Sequence, residues 1–219
     1  MNNIELQETL NVQAVPITIY RKENFVTLED RETIKGIQSW QDRSAENLSD
    51  VTISYNILED LGLHNLLYTF DQCVEKYVRE VLGLNLRIKP IGSWATRSTM
   101  GRRHHAHLHR NTLITAVTYF NDTNEDISPL VIHNNFLDDV FPHFKGFDLE
   151  EKIVTFNNYN NATLNIKPIQ DQVIIMPGHL AHSTVPSKSE ADRYCVGVNY
   201  FINDSLGTVM KKCTLTVRC

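Results

Sequence analysis

The sequence lacks the motifs that mark several large protein classes. Its 4 cysteines form no C-x-x-C pair, and it contains neither a G-x-G-x-x-G nor a G-x-x-x-x-G-K-[ST] motif. No internal repeat and no Gly/Ser-rich linker divides the chain. These absences argue against a disulfide framework and against a nucleotide-binding βαβ fold, and they favour a reducing environment.

Basic charge and long apolar runs are also scarce. The 219 residues include 21 lysines and arginines against 26 aspartates and glutamates, a formal net charge of −5. This balance gives no strong signal for nucleic-acid binding. Apolar runs such as Val173–Met176 are too short to cross a bilayer, and the polar first residues lack the layout of a secretory signal. We therefore expect a cytoplasmic protein with no membrane partner.

The hydrophobic pattern predicts a single domain, residues 1–219, with two unlike parts. In residues 1–90, Thr27 can cap a helix over Leu28–Trp40, and a stronger helical period covers Leu63–Leu82. Gly83 is placed to end that second helix.

Short β-rich runs follow the helical part. They are Leu86–Ile91, Leu108–Asn121, Leu130–His133, Lys152–Phe156, Thr163–Ile166, Gln172–Met176 and Tyr194–Asn203. Helices followed by about seven short strands predict a mainly β fold, a sandwich or jelly roll over residues 91–219 with the helices packed on one side. The segment Asn134–Asp148 fits neither period and is either a packed loop or a lid over a site.

Histidine is the most informative residue type. Four of the 9 histidines lie in the segment His104-His105-Ala106-His107-Leu108-His109, and His179 and His182 share one turn. If the first segment enters a strand, its odd-numbered histidines point to one side. An H-x-H pair on a strand, together with a distant histidine such as His182, is a typical metal-ligand set.

The last strand carries a second signal. Its two faces are Arg193, Cys195, Gly197, Asn199 and Phe201 on one side and Tyr194, Val196, Val198, Tyr200 and Ile202 on the other. The apolar set should pack against the helices. The first set begins with a guanidinium followed by small residues, which indicates a ligand cavity in which Arg193 binds an anion such as a carboxylate.

A family resemblance rests on six motifs spread over Trp94 to Asn203. They are Trp94…Gly101…His104, His107-Leu-His109-Arg-Asn111, Thr115-Ala-Val-Thr-Tyr119-Phe-Asn121, Pro129-Leu-Val-Ile, Met176-Pro-Gly-His-Leu-Ala-His182-Ser-Thr-Val-Pro186 and Arg193-Tyr-Cys-Val-Gly-Val-Asn199. Together they resemble the Fe(II)/2-oxoglutarate-dependent dioxygenases, in the prolyl-hydroxylase-like branch of small oxygenases. The resemblance implies a double-stranded β-helix (jelly roll), Fe(II) as metal, and 2-oxoglutarate and O2 as co-substrates of a hydroxylase.

The resemblance also implies which residues hold the metal. His107 corresponds to the first ligand of the family's H-x-D/E motif, and His182 corresponds to the distal histidine. His109 stands where the family has Asp or Glu. Three alternatives stay open: a three-histidine site with His109, a register shifted to His105 and His107, or a carboxylate from elsewhere in the chain. His179 is expected to be a surface or supporting residue.

The remaining site residues follow from the same resemblance. Arg193 and Tyr119 would bind the far carboxylate of 2-oxoglutarate, and Cys195 replaces a serine that is common at its position. The other expected contacts are Asn111 and Asn199 on the co-substrate side, and Trp94, Arg97, His104 and His105 on the substrate side.

Two other classes of function compete with this interpretation. A cupin-type enzyme with three metal-binding histidines would not use 2-oxoglutarate, and a non-catalytic module on the same fold would need neither metal nor co-substrate. The pair Arg193 and Tyr119 favours the oxygenase, since a cupin needs no carboxylate clamp. The primary substrate is left open, and a homodimer is expected only from how often small enzymes pair.

Overall fold

The computed structural model describes residues 15–121, 128–133, 152–155, 157, 160–208 and 213–217. The helices are α1 (Leu28–Lys35), α2 (Ile57–Asp60) and α3 (His64–Lys76), with a 3-10 turn at Ser44–Glu46 and a π-helical turn at Tyr77–Val81. The strands are β1 (Thr18–Arg21), β2 (Trp40–Gln41), β3 (Asp50–Thr52), β4 (Ile88–Ser98), β5 (Ile114–Phe120), β6 (Leu130–His133), β7 (Thr163–Ile166), β8 (Gln172–Pro177), β9 (His182–Thr184), β10 (Arg193–Ile202), β11 (Ser205–Thr208) and β12 (Cys213–Thr216).

Local sequence signals account for the helices. Thr27 and Asp30 form a capping box at the start of α1, in which the Thr27 side chain accepts a hydrogen bond from the Asp30 amide. The apolar positions of α3 recur at helical spacing, so that Leu66, Phe70 and Val74 are all buried. Gly83 adopts a φ of 66° after the π-helical turn, a conformation that glycine takes without strain.

A seven-stranded sheet dominates the fold. Its strand order is β1-β8-β5-β10-β4-β3-β2, and every paired neighbour is antiparallel. One face of this large sheet carries β10 residues such as Val196 and Val198, which pack with Phe70 and Val74 of α3 in the main hydrophobic core. The helices therefore cover one face of the large sheet.

A second, three-stranded sheet covers the other face. Its order is β7-β6-β9, and Leu130 and Ile132 of β6 pack with Val117 and Ile174 of the large sheet in a smaller core. Two antiparallel sheets facing one another, with helices on the outer side, confirm the prediction of a mainly β fold with packed helices. None of the described helices is long and apolar enough to span a membrane.

Several predicted boundaries are wrong. The first helix ends at Lys35 because Gly36 caps it, and the predicted strand over Leu86–Ile91 belongs to a longer β4 that runs to Ser98. Residues 152–155 form no strand, although a strand was predicted there. The segment Asn134–Asp148 lies outside the described residues.

The N-terminal part is also less helical than predicted. Within residues 1–90 the chain forms β1, β2 and β3 and begins β4, and all of them join the large sheet. β1 pairs with β8 and β3 pairs with β4, so the N-terminal part extends the sheet at both edges as well as covering it. β1, β2 and β3 are two to four residues long, too short to leave a clear period in the sequence.

Candidate metal centre and anion pocket

A cavity that opens to solvent lies between the two sheets, and its empty space, including the open mouth, is about 390 Å³. It is bounded by β4, β5 and β10 of the large sheet and by β6 and β9 of the small one. Its described lining residues are Ser49, Trp94, Thr96, Ser98, His104, His107, His109, Val117, Tyr119, Leu130, His182, Ser183, Thr184, Arg193 and Cys195. Most of the predicted site residues therefore line one cavity.

The histidine segment reaches the cavity as a loop and not as the predicted strand. β5 begins at Ile114, and His107 pairs instead with His182 through two backbone hydrogen bonds of 3.0 and 2.9 Å. The His109 amide donates to the Gly178 carbonyl at 2.8 Å, which ties the same loop to the turn before β9. The prediction of one strand over Leu108–Asn121 is therefore wrong at its start, because this stretch pairs with a distant loop.

Three histidine side chains converge at this end of the cavity. The ligand nitrogens of His107, His109 and His182 all lie within 4.8 Å of one another. The ring centroids of His107 and His182 are 4.4 Å apart, and those of His109 with the other two are 5.2 Å apart. The structure thus brings together the three residues that the sequence singled out as metal ligands.

Backbone contacts set the tautomers of two of these rings. Nδ1 of His107 lies 2.8 Å from the His105 carbonyl oxygen, and Nδ1 of His182 lies 2.9 Å from that of Leu180. A carbonyl oxygen only accepts, so each Nδ1 carries the proton and each Nε2 keeps a free lone pair. His109 is hydrogen-bonded to Asn199. Its buried Nε2 has no partner among the described residues, so this nitrogen also keeps a free lone pair.

The electrostatics of the site keep the three imidazoles neutral. Burial lowers the pKa of His109 to about 3 and that of His182 to about 4, and the neighbouring histidines add to both shifts. The pKa of His107 is also lowered, chiefly by burial. Neutral imidazoles are the form that binds metals, so no proton must leave these rings before a metal enters at neutral pH.

The donor set fits a divalent transition metal. Three neutral imidazole nitrogens suit iron, zinc, copper or nickel, whereas Mg²⁺ and Ca²⁺ prefer oxygen ligands. A buried ring nitrogen without a partner is costly unless something binds it, and His109 Nε2 is such an atom. The residues present therefore fit a transition-metal ion bound by three histidines.

An anion pocket lies at the other end of the cavity. Arg193, at the start of β10, is only 4% exposed, and its Nε has no hydrogen-bond partner among the described residues. Its guanidinium carbon lies 4.5 Å from the centroid of the Tyr119 ring. A buried guanidinium with a free donor requires an anion, and a planar carboxylate matches its fork of N–H groups.

Tyr119 and Cys195 complete this pocket. The two residues lie directly opposite each other on β5 and β10, and Thr96 faces Cys195 from β4. Hydrogen bonds link Tyr119 to both Cys195 and Arg193, and Cys195 to Thr96. Burial raises the pKa of Tyr119 above its usual range and raises that of Cys195 to about 11, so both groups keep their protons as hydrogen-bond donors.

Trp94 lines the cavity beside His109. Its indole lies 4.9 Å from the His109 ring, at an interplanar angle of 34°. Gly197 on β10 faces Trp94, and a side chain at Gly197 would overlap the indole ring. The small residue on β10 therefore makes the space in which Trp94 packs against His109.

The structure sorts the other predicted site residues into two groups. His104 lines the cavity, with its ring 4.6 Å from that of His107, and burial lowers its pKa to about 2. His105 is exposed beside His107, and His179 is exposed on the turn before β9. His105 and His179 are not among the described residues that line the cavity.

Three of the predicted ligand contacts, two on the co-substrate side and one on the substrate side, are not among the residues that line the cavity. Asn111 is exposed in a left-handed turn with a φ of 57° and does not line the cavity. Asn199 is hydrogen-bonded to His109, accepts a hydrogen bond from Thr115 and does not line the cavity. Arg97 points to the helix-covered side of β4, where it pairs with Asp50 at 2.8 Å and stacks on Trp40. Its side chain is therefore engaged in an ion pair and not in the cavity.

Sequence reasoning missed the hydroxyl groups of the cavity. Thr96 and Ser98 lie on the same face of β4 as Trp94, so the two-residue period of that strand could have revealed them. Ser49 reaches the cavity from the N-terminal part, where its hydroxyl lies 2.5 Å from that of Ser98. No local pattern marks Ser49, because its position depends on the pairing of β3 with β4.

The residues of this site lie in a segment of the chain that matches a known family. Residues 92–199 match the family described as "Putative 2OG-Fe(II) oxygenase", a segment that includes all three converging histidines, Tyr119 and Arg193. A comparison with curated proteins found no significant match.

Solved structures share the fold at low sequence identity. HygX from Streptomyces hygroscopicus, with nickel, 2-oxoglutarate and hygromycin B bound, is 12% identical, with a TM-score of 0.57 over 85% of this chain and 82% of that one. A Pseudomonas putida prolyl-4-hydroxylase is 13% identical (TM-score 0.53, 84% and 92% covered). A Trichoplax adhaerens prolyl hydroxylase in complex with a hypoxia inducible factor peptide fragment is 14% identical (TM-score 0.55, 84% and 83% covered). These similarities confirm the predicted jelly-roll fold.

Proposed function

We propose that the chain, whose residues 92–199 match the 2OG-Fe(II) oxygenase family, is a hydroxylase that binds Fe(II) and 2-oxoglutarate in the cavity described above. Fe(II) and 2-oxoglutarate are the metal and the co-substrate named in the family's description. One observation carries the assignment to this cavity: a buried nitrogen of His109 and a buried nitrogen of Arg193, neither of which has a hydrogen-bond partner in the part of the chain that the structure describes, belong to residues that line the same space.

His107, His109 and His182 would hold the iron. Backbone carbonyls occupy Nδ1 of His107 and of His182, and Nε2 of His109 has no partner among the described residues, so the Nε2 atoms are the ones available to the metal. The two backbone bonds between His107 and His182 hold these rings at a constant spacing before the metal binds. Such preorganisation lowers the entropic cost of binding the metal.

Arg193 and Tyr119 would bind the far carboxylate of 2-oxoglutarate. The guanidinium supplies two parallel N–H donors, and the Tyr119 hydroxyl adds a neutral donor from the neighbouring strand. Thr96 and Cys195 lie beside them and close the pocket. The keto-acid end of the same molecule would then be directed toward the histidines.

Iron supplies, when bound, the redox chemistry that couples the loss of CO2 from 2-oxoglutarate to oxidation of the primary substrate by O2. The chain's own contribution is to bind and orient these partners and to keep water out. Val117 and Leu130, one from each sheet, close the cavity with apolar groups, and Trp94 covers the side of His109. A dry cavity strengthens the interaction of Arg193 with a carboxylate.

The test is co-substrate turnover and binding. The purified protein, reconstituted with Fe(II), should release succinate from 2-oxoglutarate in air, and the anaerobic Mn(II) protein should bind 2-oxoglutarate saturably in a thermal-shift titration. The absence of saturable binding at millimolar 2-oxoglutarate would refute the oxygenase assignment. A three-histidine metal enzyme of the cupin type would then be favoured if metal is retained, and a non-catalytic module if it is not.

Three further parts of this proposal depend on separate measurements. O2 consumption stoichiometric with succinate release would establish O2 as a substrate. Fractionation of cells would test the cytoplasmic location, and sedimentation of the purified chain would test the expected homodimer.

A further inference from the structure

The cavity is unusual in its charge. Among its described lining residues none is an aspartate or glutamate, and Arg193 is the one side chain that carries a full charge at neutral pH. His109 contributes a neutral imidazole at the position where the resemblance described above implies a carboxylate. The charges that act on His104 and His107 come from other histidines and from Arg43, all of them cationic or potentially cationic.

The nearest buried carboxylate does not compensate for the positive charge of the cavity. Asp50 follows Ser49, which lines the cavity, and its side chain is 2% exposed. However, its two oxygens are bound by Arg97 at 2.8 Å and by Arg102 at 2.6 Å. The negative charge of Asp50 is therefore neutralised by two guanidinium groups, and this cluster leaves no negative charge for the cavity.

A divalent metal on three neutral imidazoles keeps its full charge of +2, and Arg193 adds one more positive charge in the same cavity. Charges that are buried without a counter-charge are strongly unfavourable, and their interactions are screened far less than in water. A dianion that touches both ends would balance most of this charge. With a carboxylate in place of His109, the metal would already be partly neutralised before the dianion arrives.

We infer that His109 makes the metal and the 2-oxoglutarate dianion depend on one another, so that each binds weakly alone and each strengthens the binding of the other more than a carboxylate ligand would allow. This inference rests on the proposed function. It assigns to His109 a role beyond ligation, as the residue that sets the thermodynamic coupling between metal and co-substrate.

The experiment measures that coupling by calorimetry. Co(II) is titrated into the wild-type chain and into His109→Asp, with and without saturating 2-oxoglutarate, in a buffer without coordinating anions. The coupling factor is the ratio of the two Kd values, corrected for complexes of Co(II) with 2-oxoglutarate in solution. We expect this factor to be at least about tenfold larger in the wild type than in His109→Asp. The reverse titration of 2-oxoglutarate must give the same factor.

A matched control places the same new charge outside the cavity. His179→Asp adds a carboxylate to the exposed turn before β9, where solvent screens it. Its coupling factor should equal that of the wild type.

The outcomes separate this inference from the proposed function. If 2-oxoglutarate leaves the Co(II) affinity of the wild type unchanged, the proposed function fails and the inference with it. If coupling is present but equal in wild type and His109→Asp, the inference alone is refuted. Loss of Co(II) binding by a folded His109→Asp would also refute it, since a carboxylate is a competent ligand of similar reach.

A measurement on the wild type alone tests the inference without depending on the folding of the variant. Azide is a small monovalent anion that lacks the chelating keto acid, so it tests charge separately from chelation. Azide should tighten Co(II) binding and change the visible spectrum of the bound ion. No effect of azide on Co(II) affinity would overturn the inference.

Discussion

The two faces of β10 differ sharply although they belong to one strand. Tyr194, Val196, Val198 and Tyr200 face the helices and are buried in the main core. Arg193, Cys195 and Gly197 face the opposite way, toward the cavity or its wall. One face stabilises the fold through apolar contacts, and the other binds ligands through a few polar groups. The same strand therefore separates stability from function by the direction of its side chains.

Metal binding should depend on the cavity side alone, and its loss is the largest effect on ligand binding that we expect. His182→Ala removes a ligand nitrogen at the centre of the three-histidine cluster and should weaken Co(II) binding by at least about 100-fold. His179→Ala, on the exposed part of the same turn, is the control and should bind Co(II) like the wild type. Calorimetry of both variants makes the measurement, and the opposite pattern would mean that His179 is the ligand.

Stability should depend on the helix-covered side. Phe70 is fully buried in α3 and makes an edge contact with Phe25 at a centroid distance of 5.1 Å. Phe70→Ala should lower the free energy of unfolding by about 3–5 kcal/mol, because it removes apolar contact and leaves a cavity. Urea denaturation checks the change, and Tyr68→Ala on the exposed side of α3 is the control. A loss of metal affinity in folded Phe70→Ala would contradict the separation of the two faces.

Co-substrate binding should depend on the arginine of the cavity side. Arg193→Ala removes a charge-assisted donor pair from a buried carboxylate and should weaken 2-oxoglutarate binding by about 30-fold or more, which corresponds to about 2–5 kcal/mol. The affinity for metal without 2-oxoglutarate should change little. An anaerobic titration of the Mn(II) protein measures both, and Arg103→Ala, an exposed arginine, is the control. Wild-type affinity in Arg193→Ala would refute the assignment of this pocket.

Tyr119→Phe should have the smallest effect. It removes one neutral donor to a charged acceptor, which is worth about 1.5–3 kcal/mol, and we expect the low end of this range, so that 2-oxoglutarate binds about tenfold more weakly. The ring remains and still packs under the Arg193 guanidinium. The same titration checks this value. A loss larger than that of Arg193→Ala would mean that the hydroxyl, and not the guanidinium, dominates the pocket.

More of the candidate site than of the surrounding fold could be predicted from the sequence. The alternation of β10 and the H-x-H pattern led to Arg193, His107 and His182 because each depends on local spacing along the chain. Asn111 and Arg97 were predicted to contact ligands and do not line the cavity, since a left-handed turn and an ion pair with Asp50 place them elsewhere. Ser49 had no sequence signal, because its place follows from strand pairing over a distance of 49 residues to Ser98.

The sequence by itself determined the mainly β class, the two faces of β10 and the identity of the chemical groups that converge, since these follow from local periodicity and residue type. Only the tertiary structure decided that the histidine segment is a loop paired with His182 and that Asn199 supports His109. It also decided that Asp50 is neutralised by Arg97 and Arg102 before it can influence the cavity. Such contacts join residues far apart in the chain, and their partners are chosen by burial and hydrogen bonding that no local pattern records.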